Sequence, residues 1–380
     1  CTAEPLNMAW AASYLGQRGL ATKYLVEEID PKVDALSPGN KLIMATGPLT
    51  GTMASTGGRY SVITKSPLTG AIACSNSGGF IGNEMKMAGW DMIIFEGKSP
   101  QPVYLYVEND HAELCSAEHL WGTSVWETDH ALHHAYQDPQ LRIACVGRSA
   151  EQGCLYSGVI NDLHRAAGRS GVGTVMASKN LKAVAIRGTK GVGNVRDIKA
   201  FFKATQTAKA VLAGNPVTGE GLPKLGTQVL MNVINEVGAM PTRNMREGQF
   251  EGANRISAEA MLVPRESDGK PNLVTNAACF GCTIACGRIS TIDPKHYTIV
   301  NQPKYAGANG GLEYEAAWAL GSDTGVDDLD ALTYANVICN EDGFDPISFG
   351  ATVAAAMELY EIGAITKETT GGLEMKFGSA

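Results

Sequence analysis

Long apolar runs are missing from this chain of 380 residues. No uninterrupted stretch is long enough to span a bilayer, which argues against membrane insertion. Blocks of one charge are missing too. The formal charge is −8, from 39 acidic and 31 basic residues, and the two signs are interspersed. That pattern argues against a general nucleic-acid or membrane-surface binder. There is no Gly-x4-Gly-Lys-Ser/Thr loop and no Gly-x-Gly-x-x-Gly run after a strand, so neither common nucleotide motif is supported. A Gly-x-Ser-x-Gly elbow, the mark of a serine hydrolase, is also missing. The nine cysteines show no disulfide-type framework; three cluster and the rest scatter, which suits a reducing compartment, the cytoplasm. The chain opens at Cys1 without a Met or a signal peptide and closes on Gly-Ser-Ala. The expectation is a sequence incomplete at both ends.

What is present is a hydrophobic share of 44%, enough for substantial cores, in a length that suits two or three domains. Glycine is abundant, at 44 residues against an average share of roughly 7%. The glycines sit in short motifs between apolar runs, which implies tight turns and close backbone approaches. Residues 1–40 read as mainly helical, with turns at Gly16 and Gly19. Strands are expected at Leu42–Ala45, Tyr60–Thr64, Met92–Phe95, Val103–Val107, Arg142–Val146 and Leu181–Ile186, and a helix over Leu120–Tyr136. Beyond Gly191 the pattern turns helical. Ile198, Phe201, Phe202, Thr205, Ala208 and Leu212 form one stripe; a helix capped by Thr227 runs to Val237; Ile347–Ile362 is a third, ending at Gly363. The expected class is α+β: a β-rich domain over residues 1–190, then mostly helical domains over 191–380.

The chain is organised around Cys279-Phe-Gly-Cys282-Thr-Ile-Ala-Cys286-Gly-Arg288. Three thiols at spacings of x2 and x3 can wrap one soft metal centre. A structural zinc site needs a fourth ligand, usually from a second paired knuckle, and no second Cys-x2-Cys pair exists. A [4Fe–4S] cluster is often held by three close cysteines and a remote fourth, so the spacing favours iron–sulfur over zinc. The stretch is expected in a helical region, behind the β domain.

Three glycine-rich loops carry further chemistry. They are Gly57-Gly-Arg59-Tyr60 with Thr64–Gly70, Ser75-Asn76-Ser-Gly78-Gly-Phe80, and Asn161–Gly173, which includes Arg165, Ala166, Gly168 and Arg169. Small residues let backbone N–H groups approach an anion, and arginine supplies a planar donor fork for phosphate. Each loop alone reads as an ordinary turn. Three of them together with a thiolate cluster read as the cradle of a large phosphorylated cofactor.

Acidic residues gather after the cysteines. Glu313 and Glu315 precede an apolar helix, where a first-turn carboxylate is also favoured by the helix dipole. Asn340-Glu-Asp-Gly343-Phe-Asp345 reads equally as a turn in which Gly343 ends one helix and Asp345 caps the next. His130, His133 and His134 have metal-ligand spacing but read as a solvated helix face. Cys74, Cys115, Cys145, Cys154 and Cys339 read mostly as buried small hydrophobes.

These stretches, in order along the chain, resemble the tungsten-containing aldehyde ferredoxin oxidoreductase family. The resemblance rests on Ala45–Gly51, Gly57–Tyr60, Thr64–Gly70, Ser75–Phe80, Ala166–Gly173, Ser178–Ala183 and Cys279–Arg288. It implies a β saddle on which two molybdopterin-type ligands hold one tungsten, with no side chain on the metal. It implies Arg59 and Arg165 as pterin-phosphate contacts, Gly78 and Gly168 as points of close approach, and a Mg²⁺ on the backbone carbonyls of Asn76 and Ala166. Asn340, Gly343 and Asp345 match the family's Asp-x2-Gly-x-Asp pterin motif, with Asn in place of the first Asp. Glu313, with Glu315 as second choice, resembles the active-site glutamate, which handles water, the substrate carbonyl or a proton.

Other family features have no match. The fourth cluster cysteine, a second pterin motif and an active-site His fall in a later segment, and Cys339 is not promoted to ligand. The Glu-x2-His matches, Glu108–His111 and Glu127–His130, lie far from the family's intersubunit iron site and read as chance.

The implied function is oxidation of an aldehyde to a carboxylic acid, with electrons leaving through Cys279, Cys282 and Cys286 to ferredoxin or a ferredoxin-like subunit, in an oligomeric enzyme. One rival is a relative using tungsten or molybdenum on an aromatic thioester or a 2-hydroxy acid. Another is an iron–sulfur electron-transfer subunit without pterin, which would have no use for Arg59, Asn76 and Arg165.

Overall fold

The computed structural model describes every residue except Ala308. The class is α+β, with a β-sheet-rich first part and helices dominating after it. The chain forms two compact units that do not follow one cut in the sequence. The first comprises Cys1–Val211, Cys279–Thr283 and Asn340–Asp345; the second comprises Leu212–Ala278, Ile284–Cys339 and Pro346–Ala380.

The first unit is built on ten strands: β1 (Leu42–Thr46), β2 (Tyr60–Lys65), β3 (Ile72–Ser77), β4 (Met92–Phe95), β5 (Val103–Glu108), β6 (His111–Ser116), β7 (Arg142–Cys145), β8 (Val159–Asn161), β9 (Arg165–Ala167) and β10 (Leu181–Arg187). A four-stranded sheet runs in the order β3-β2-β1-β4, and a six-stranded sheet in the order β6-β5-β10-β7-β8-β9. All pairings are antiparallel except β5 with β10. Side chains alternate faces along a strand. In β1, Leu42 and Met44 point into the core between the sheets, while Ile43 and Ala45 meet Ala21 and Leu25 of the helix Gln17–Glu28. In β10, Val184 and Ile186 face that shared core, while Ala183 and Ala185 join Leu132 of the helix Val125–Tyr136. Both strands are covered on both faces, so their sequences read as unbroken apolar runs. The helices Ile81–Ala88 and Val172–Ser178 fill the shared core through Ile81, Met85, Val172, Val175 and Met176. Each such fully buried side chain contributes about 1.5–3 kcal/mol.

The expected strands are present with ends shifted by a residue or two. Gly19 lies inside the helix Gln17–Glu28 rather than at a turn. The expected helix over Leu120–Tyr136 starts at Val125, because Ser124 and Glu127 close a capping box there. Strands β3, β6, β8 and β9 were not expected. Their sequences are short, small or polar (Ile-Ala-Cys-Ser-Asn-Ser in β3) and carry little hydrophobic alternation.

In the second unit, Met231, Met240, Phe250, Ile256, Leu312, Trp318 and Leu332 make one core. The helix Pro346–Glu361 matches expectation, with Gly363 at φ +75° beyond its end. The helix expected from Thr227 is broken: a 3-10 turn over Thr227–Val229 precedes the helix Leu230–Glu236, and the Thr227 hydroxyl accepts from Tyr314 N (3.0 Å) instead of capping. A small antiparallel sheet, β11 (Leu273–Ala277), β12 (Gly287–Ser290) and β13 (Asn309–Gly310), also stands here. The cysteine stretch joins β11 to β12 and is not helical, contrary to the sequence expectation. Gly281 at φ +61° and Ala285 at φ +51° break any helix there.

Candidate functional site

The loops singled out in the sequence meet in the first unit. Arg59 is exposed and stands just before β2, and its Nη1 donates to Asn76 Oδ1 at 2.7 Å. The Asn76 amide in turn donates to the Tyr60 carbonyl (3.1 Å) and Ser61 Oγ (3.2 Å). Asn76 therefore aims the Arg59 guanidinium while leaving its charge uncancelled. A cation held by a neutral amide suits a phosphate oxygen better than one already paired to a carboxylate.

Asn161 and Asp162 stitch the second loop to the third. Asn161 is 1% exposed. Its Oδ1 accepts from Ser77 Oγ (2.7 Å) and Tyr60 OH (3.2 Å), and its Nδ2 donates to Gly78 O (3.0 Å) and Asp162 Oδ2 (2.7 Å). Asp162 Oδ2 also accepts from Phe80 N at 2.9 Å. Burial, then Asp162 and then Cys145, push the Tyr60 hydroxyl pKa far up, so Tyr60 is a permanent donor. In the sequence these two residues lie inside the third glycine-rich loop and carry no motif of their own. Asp162 and Leu163 take positive φ (48° and 63°), a turn geometry that a stretch holding Asn161 and Asp162 tolerates. His164 beside them is pushed down to about 4 by burial and then by Arg165, so it is neutral near pH 7.

The first two cysteines come to these loops. Cys282 N donates to Cys279 O (3.1 Å), closing a tight turn, and Phe280 N donates to Gly79 O (3.1 Å). A Cβ on Gly78 would stand 2.5 Å from Cys279 Sγ, and one on Gly58 would stand 2.9 Å from the Phe280 carbonyl. Gly78 is thus a point of close approach, and what approaches it here is the Cys279 thiol. Ser55 and Thr283 hydroxyls bond at 3.1 Å. All three clustered cysteines are half-buried and unbridged. Among the described residues no three His, Cys, Asp or Glu side chains are gathered as a metal site.

Asn340–Asp345 also folds onto the first unit. Gly343, at φ +81°, ends the helix Leu329–Asp342 and accepts from Gly158 N at 2.9 Å. Asp345 N donates to Tyr156 O (3.2 Å), and its carboxylate, 2% exposed, pairs with Arg169 at 3.1 Å. Asp342 pairs with Arg148 at 2.6 Å. Gly168 lies against Asp345, where a Cβ would be 3.4 Å from Oδ1. Asn340 is buried at the helix end. Arg165 and Ala166 sit in β9, paired with Asn161 and Ile160. The strands bearing Asn76 and Ala166 are the edge strands of the two sheets, and they pack on each other. Edge strands keep backbone groups outside the ladder.

Glu313, Glu315 and Cys286 belong to the second unit. Glu313 is the N-cap residue of the helix Tyr314–Leu320, with no side-chain capping bond, and its carbonyl accepts from Ala317 N (2.8 Å). Glu315 accepts from Trp318 Nε1 at 2.9 Å, so it is committed to a neighbour. Of the histidines, His130 and His134 are exposed. His133 pairs with Asp129 (3.1 Å) and lies 3.1 Å from the Leu141 carbonyl, a structural role at the helix end.

By donor type the Arg59 guanidinium and the backbone around it suit phosphate oxygens, whereas the three thiols are not gathered as a metal site among the described residues.

Two family models match the chain, "Aldehyde ferredoxin oxidoreductase, N-terminal domain" over residues 1–188 and "Aldehyde ferredoxin oxidoreductase, domains 2 & 3" over residues 203–380. The tungsten-containing aldehyde ferredoxin oxidoreductase of Pyrococcus abyssi is 48% identical over 369 residues, covering 97% of this chain and 58% of that protein. Its counterpart in Thermococcus kodakarensis is 47% identical, covering 95% of this chain and 56% of that protein. The chain thus spans less than two thirds of the length of the curated relatives it matches. Among solved structures, the active-site complex BamBC of benzoyl coenzyme A reductase with 1,5-dienoyl-CoA superposes with a TM-score of 0.82 at 27% identity, over 98% of this chain and 56% of that one.

Proposed function

Because this chain belongs to the aldehyde ferredoxin oxidoreductase family, we propose that it is part of a tungsten-dependent enzyme that oxidises aldehydes to carboxylic acids. An aldehyde and one water give a carboxylate, two electrons and three protons. Cys279, Cys282 and Cys286 would hold a [4Fe–4S] cluster, which would supply one-electron transfer to ferredoxin or a ferredoxin-like subunit. The bis-pterin tungsten group supplies the two-electron chemistry when bound.

The chain's own residues bind and orient. Arg59, aimed by Asn76, and Arg165 hold pterin phosphates. The edge-strand carbonyls of Asn76 and Ala166 take a Mg²⁺. Asn340, Gly343 and Asp345 line the pterin, held in place by Arg148 and Arg169. Glu313 positions water or the aldehyde carbonyl, or accepts the proton released as the hydrate is oxidised. Glu315, which accepts from Trp318 Nε1, is the second choice for that role. The domain reading of residues 1–190 as pterin-binding and 191–380 as helical and cysteine-bearing is kept in this proposal, with segments 279–283 and 340–345 serving the first. A cytoplasmic setting accords with nine cysteines that form no disulfide among the described residues. No helix among the described residues is long and apolar enough to cross a membrane. Assembly as an oligomer is part of the same reading.

The observation that carries the proposal is the Cys279 thiol packed on Gly78, in the loop that also bears Asn76. A plain electron carrier has no reason to set its cysteines on a phosphate-type loop. Full-length protein, purified anaerobically, should reduce ferredoxin when an aldehyde is added and release the matching acid. Reduction by an aromatic thioester or a 2-hydroxy acid but not by aldehydes would overturn the substrate class.

A further inference from the structure

His296, in the second unit, belongs to neither the glycine-rich loops nor the cysteine stretch, and both of its ring nitrogens are engaged. It is the N-cap residue of the helix Tyr297–Val300, and its Nδ1 accepts from Thr298 N at 3.4 Å. Nδ1 therefore carries the lone pair, and the ring proton is on Nε2, which faces Asp328 Oδ2 at 3.0 Å. Thr298 Oγ1 stands 2.8 Å from Nδ1, so its hydroxyl donates to that lone pair. Asp328 is itself fixed. Its Oδ1 accepts from Asp330 N and Ala331 N, at 3.1 Å each, at the start of the helix Leu329–Asp342. That leaves Oδ2 for the imidazole. Capping the short helix requires only Nδ1. The second grip, from a carboxylate 32 residues away in the chain, sets the tautomer in which a histidine takes a proton from a hydroxyl.

Thr298 also lines a cavity of about 230 Å³ in the same unit. Its walls include Leu320, Leu332, Phe349 and Met357. A cavity of roughly 150 Å³ with such walls holds a benzene-sized molecule. A hydroxyl, a base and an orienting carboxylate thus follow one another by hydrogen bonds at an apolar cavity, which is the arrangement that acyl transfer uses.

We propose that Thr298, His296 and Asp328 form a hydrolytic site for carboxylic esters whose apolar acyl group occupies the cavity. Thr298 Oγ1 attacks the ester carbonyl carbon as its proton passes to His296 Nδ1. The C–O bond to the alcohol breaks, and the alcohol leaves with that proton. Water, deprotonated by the same nitrogen, then releases the acid from Thr298 and restores the hydroxyl. Ester and water give acid and alcohol, with no change of oxidation state. Asp328 does not touch the substrate. It is a positioning residue that holds the imidazole and stabilises its charged form. The step uses only side chains of this unit, so it stands or falls independently of the tungsten reading.

The test uses full-length protein with two probes. One is a series of p-nitrophenyl esters of straight-chain acids from acetate to octanoate, followed by release of p-nitrophenol. The other is a fluorophosphonate whose point of attachment is read by mass spectrometry. The native protein should hydrolyse the esters and take the fluorophosphonate on Thr298. Burying one methylene is worth about a fourfold gain, so kcat/KM should climb by about that factor per added carbon until the cavity is full. Thr298→Val, which keeps the shape, should abolish both labelling and turnover. His296→Gln should lower turnover by about 10²–10⁴-fold. Asp328→Asn keeps a helix-capping side chain but loses the charge, so it should lower kcat and leave KM unchanged, which a general loosening of the fold would not do. The labelling site is read on native protein, so it carries the test even where a variant fails to fold. Native protein that neither hydrolyses the esters nor takes the fluorophosphonate overturns the inference. Labelling at another residue, or turnover that survives Thr298→Val, overturns it as well. Rates that do not change with acyl length overturn the assignment of the cavity.

Discussion

Two buried cations, Lys182 and Arg288, are treated in opposite ways. Lys182 sits in β10 of the first unit with a fully buried side chain, and its ammonium bonds Glu151 at 2.6 Å and the Thr123 carbonyl at 2.8 Å. The second Glu151 oxygen accepts from Gly122 N at 2.7 Å. That pair is closed: both charges are used up in tying one loop to the sheet. Arg288, in the second unit, is held by neutral oxygens, those of the Asn276 amide and of the Leu222 and Gly287 carbonyls. Arg59 follows the Arg288 pattern at the surface, aimed by an amide instead of a carboxylate. The difference separates a cation matched by a carboxylate from cations held by neutral groups alone.

The sharpest way to break this division is to remove one charge of each kind and measure activity and stability together. Glu313→Gln should leave the fold and the tungsten content unchanged while turnover falls by about 10²–10⁴-fold, as for a general acid–base group; near-normal turnover would transfer the role to Glu315. Glu151→Gln should do the reverse. It strands Lys182 in the interior and should cost about 3–5 kcal/mol in denaturant unfolding; a loss below about 1 kcal/mol would mean the pair behaves as a surface ion pair. Arg59→Ala should lower the tungsten content of purified protein without lowering its melting temperature, and full tungsten occupancy would remove Arg59 from the phosphate site.

The smallest effect concerns His164. Its folded pKa, about 4, lies below the ordinary 6.5. The unfolded chain therefore binds more protons between those values, and stability is lost as pH falls from about 6.5 towards about 4. His164→Asn should flatten that part of the stability profile. An unchanged profile would show that His164 titrates as an ordinary surface imidazole.

Much of this was legible in the sequence because strong signals were local. The apolar runs of β1, β4 and β10 announced strands, and the spacing of Cys279, Cys282 and Cys286 announced a soft-metal loop. The edge strands β3 and β9 escaped notice because their residues are small and polar, and that is the composition a backbone-lined site requires. Asn161 and Asp162 were hidden for a different reason: their value lies in partners 80 or more residues away, Ser77, Gly78 and Phe80, which no local pattern reveals. The cysteine loop was placed in a helical region because its surroundings in sequence are helical, whereas two positive-φ residues and a short sheet decide its shape. Long-range return of Asn340–Asp345 to the β-rich unit was likewise invisible until the backbone of Tyr156 and Gly158 could be seen to receive it.

The most direct test of the whole account is elemental analysis of the anaerobically purified full-length protein for tungsten, molybdenum, iron and zinc. The account predicts about one tungsten and about four irons per chain, the latter for one [4Fe–4S] cluster. Zinc alone, with neither tungsten nor molybdenum, would contradict the reading of the cysteine stretch and of the glycine-rich loops together.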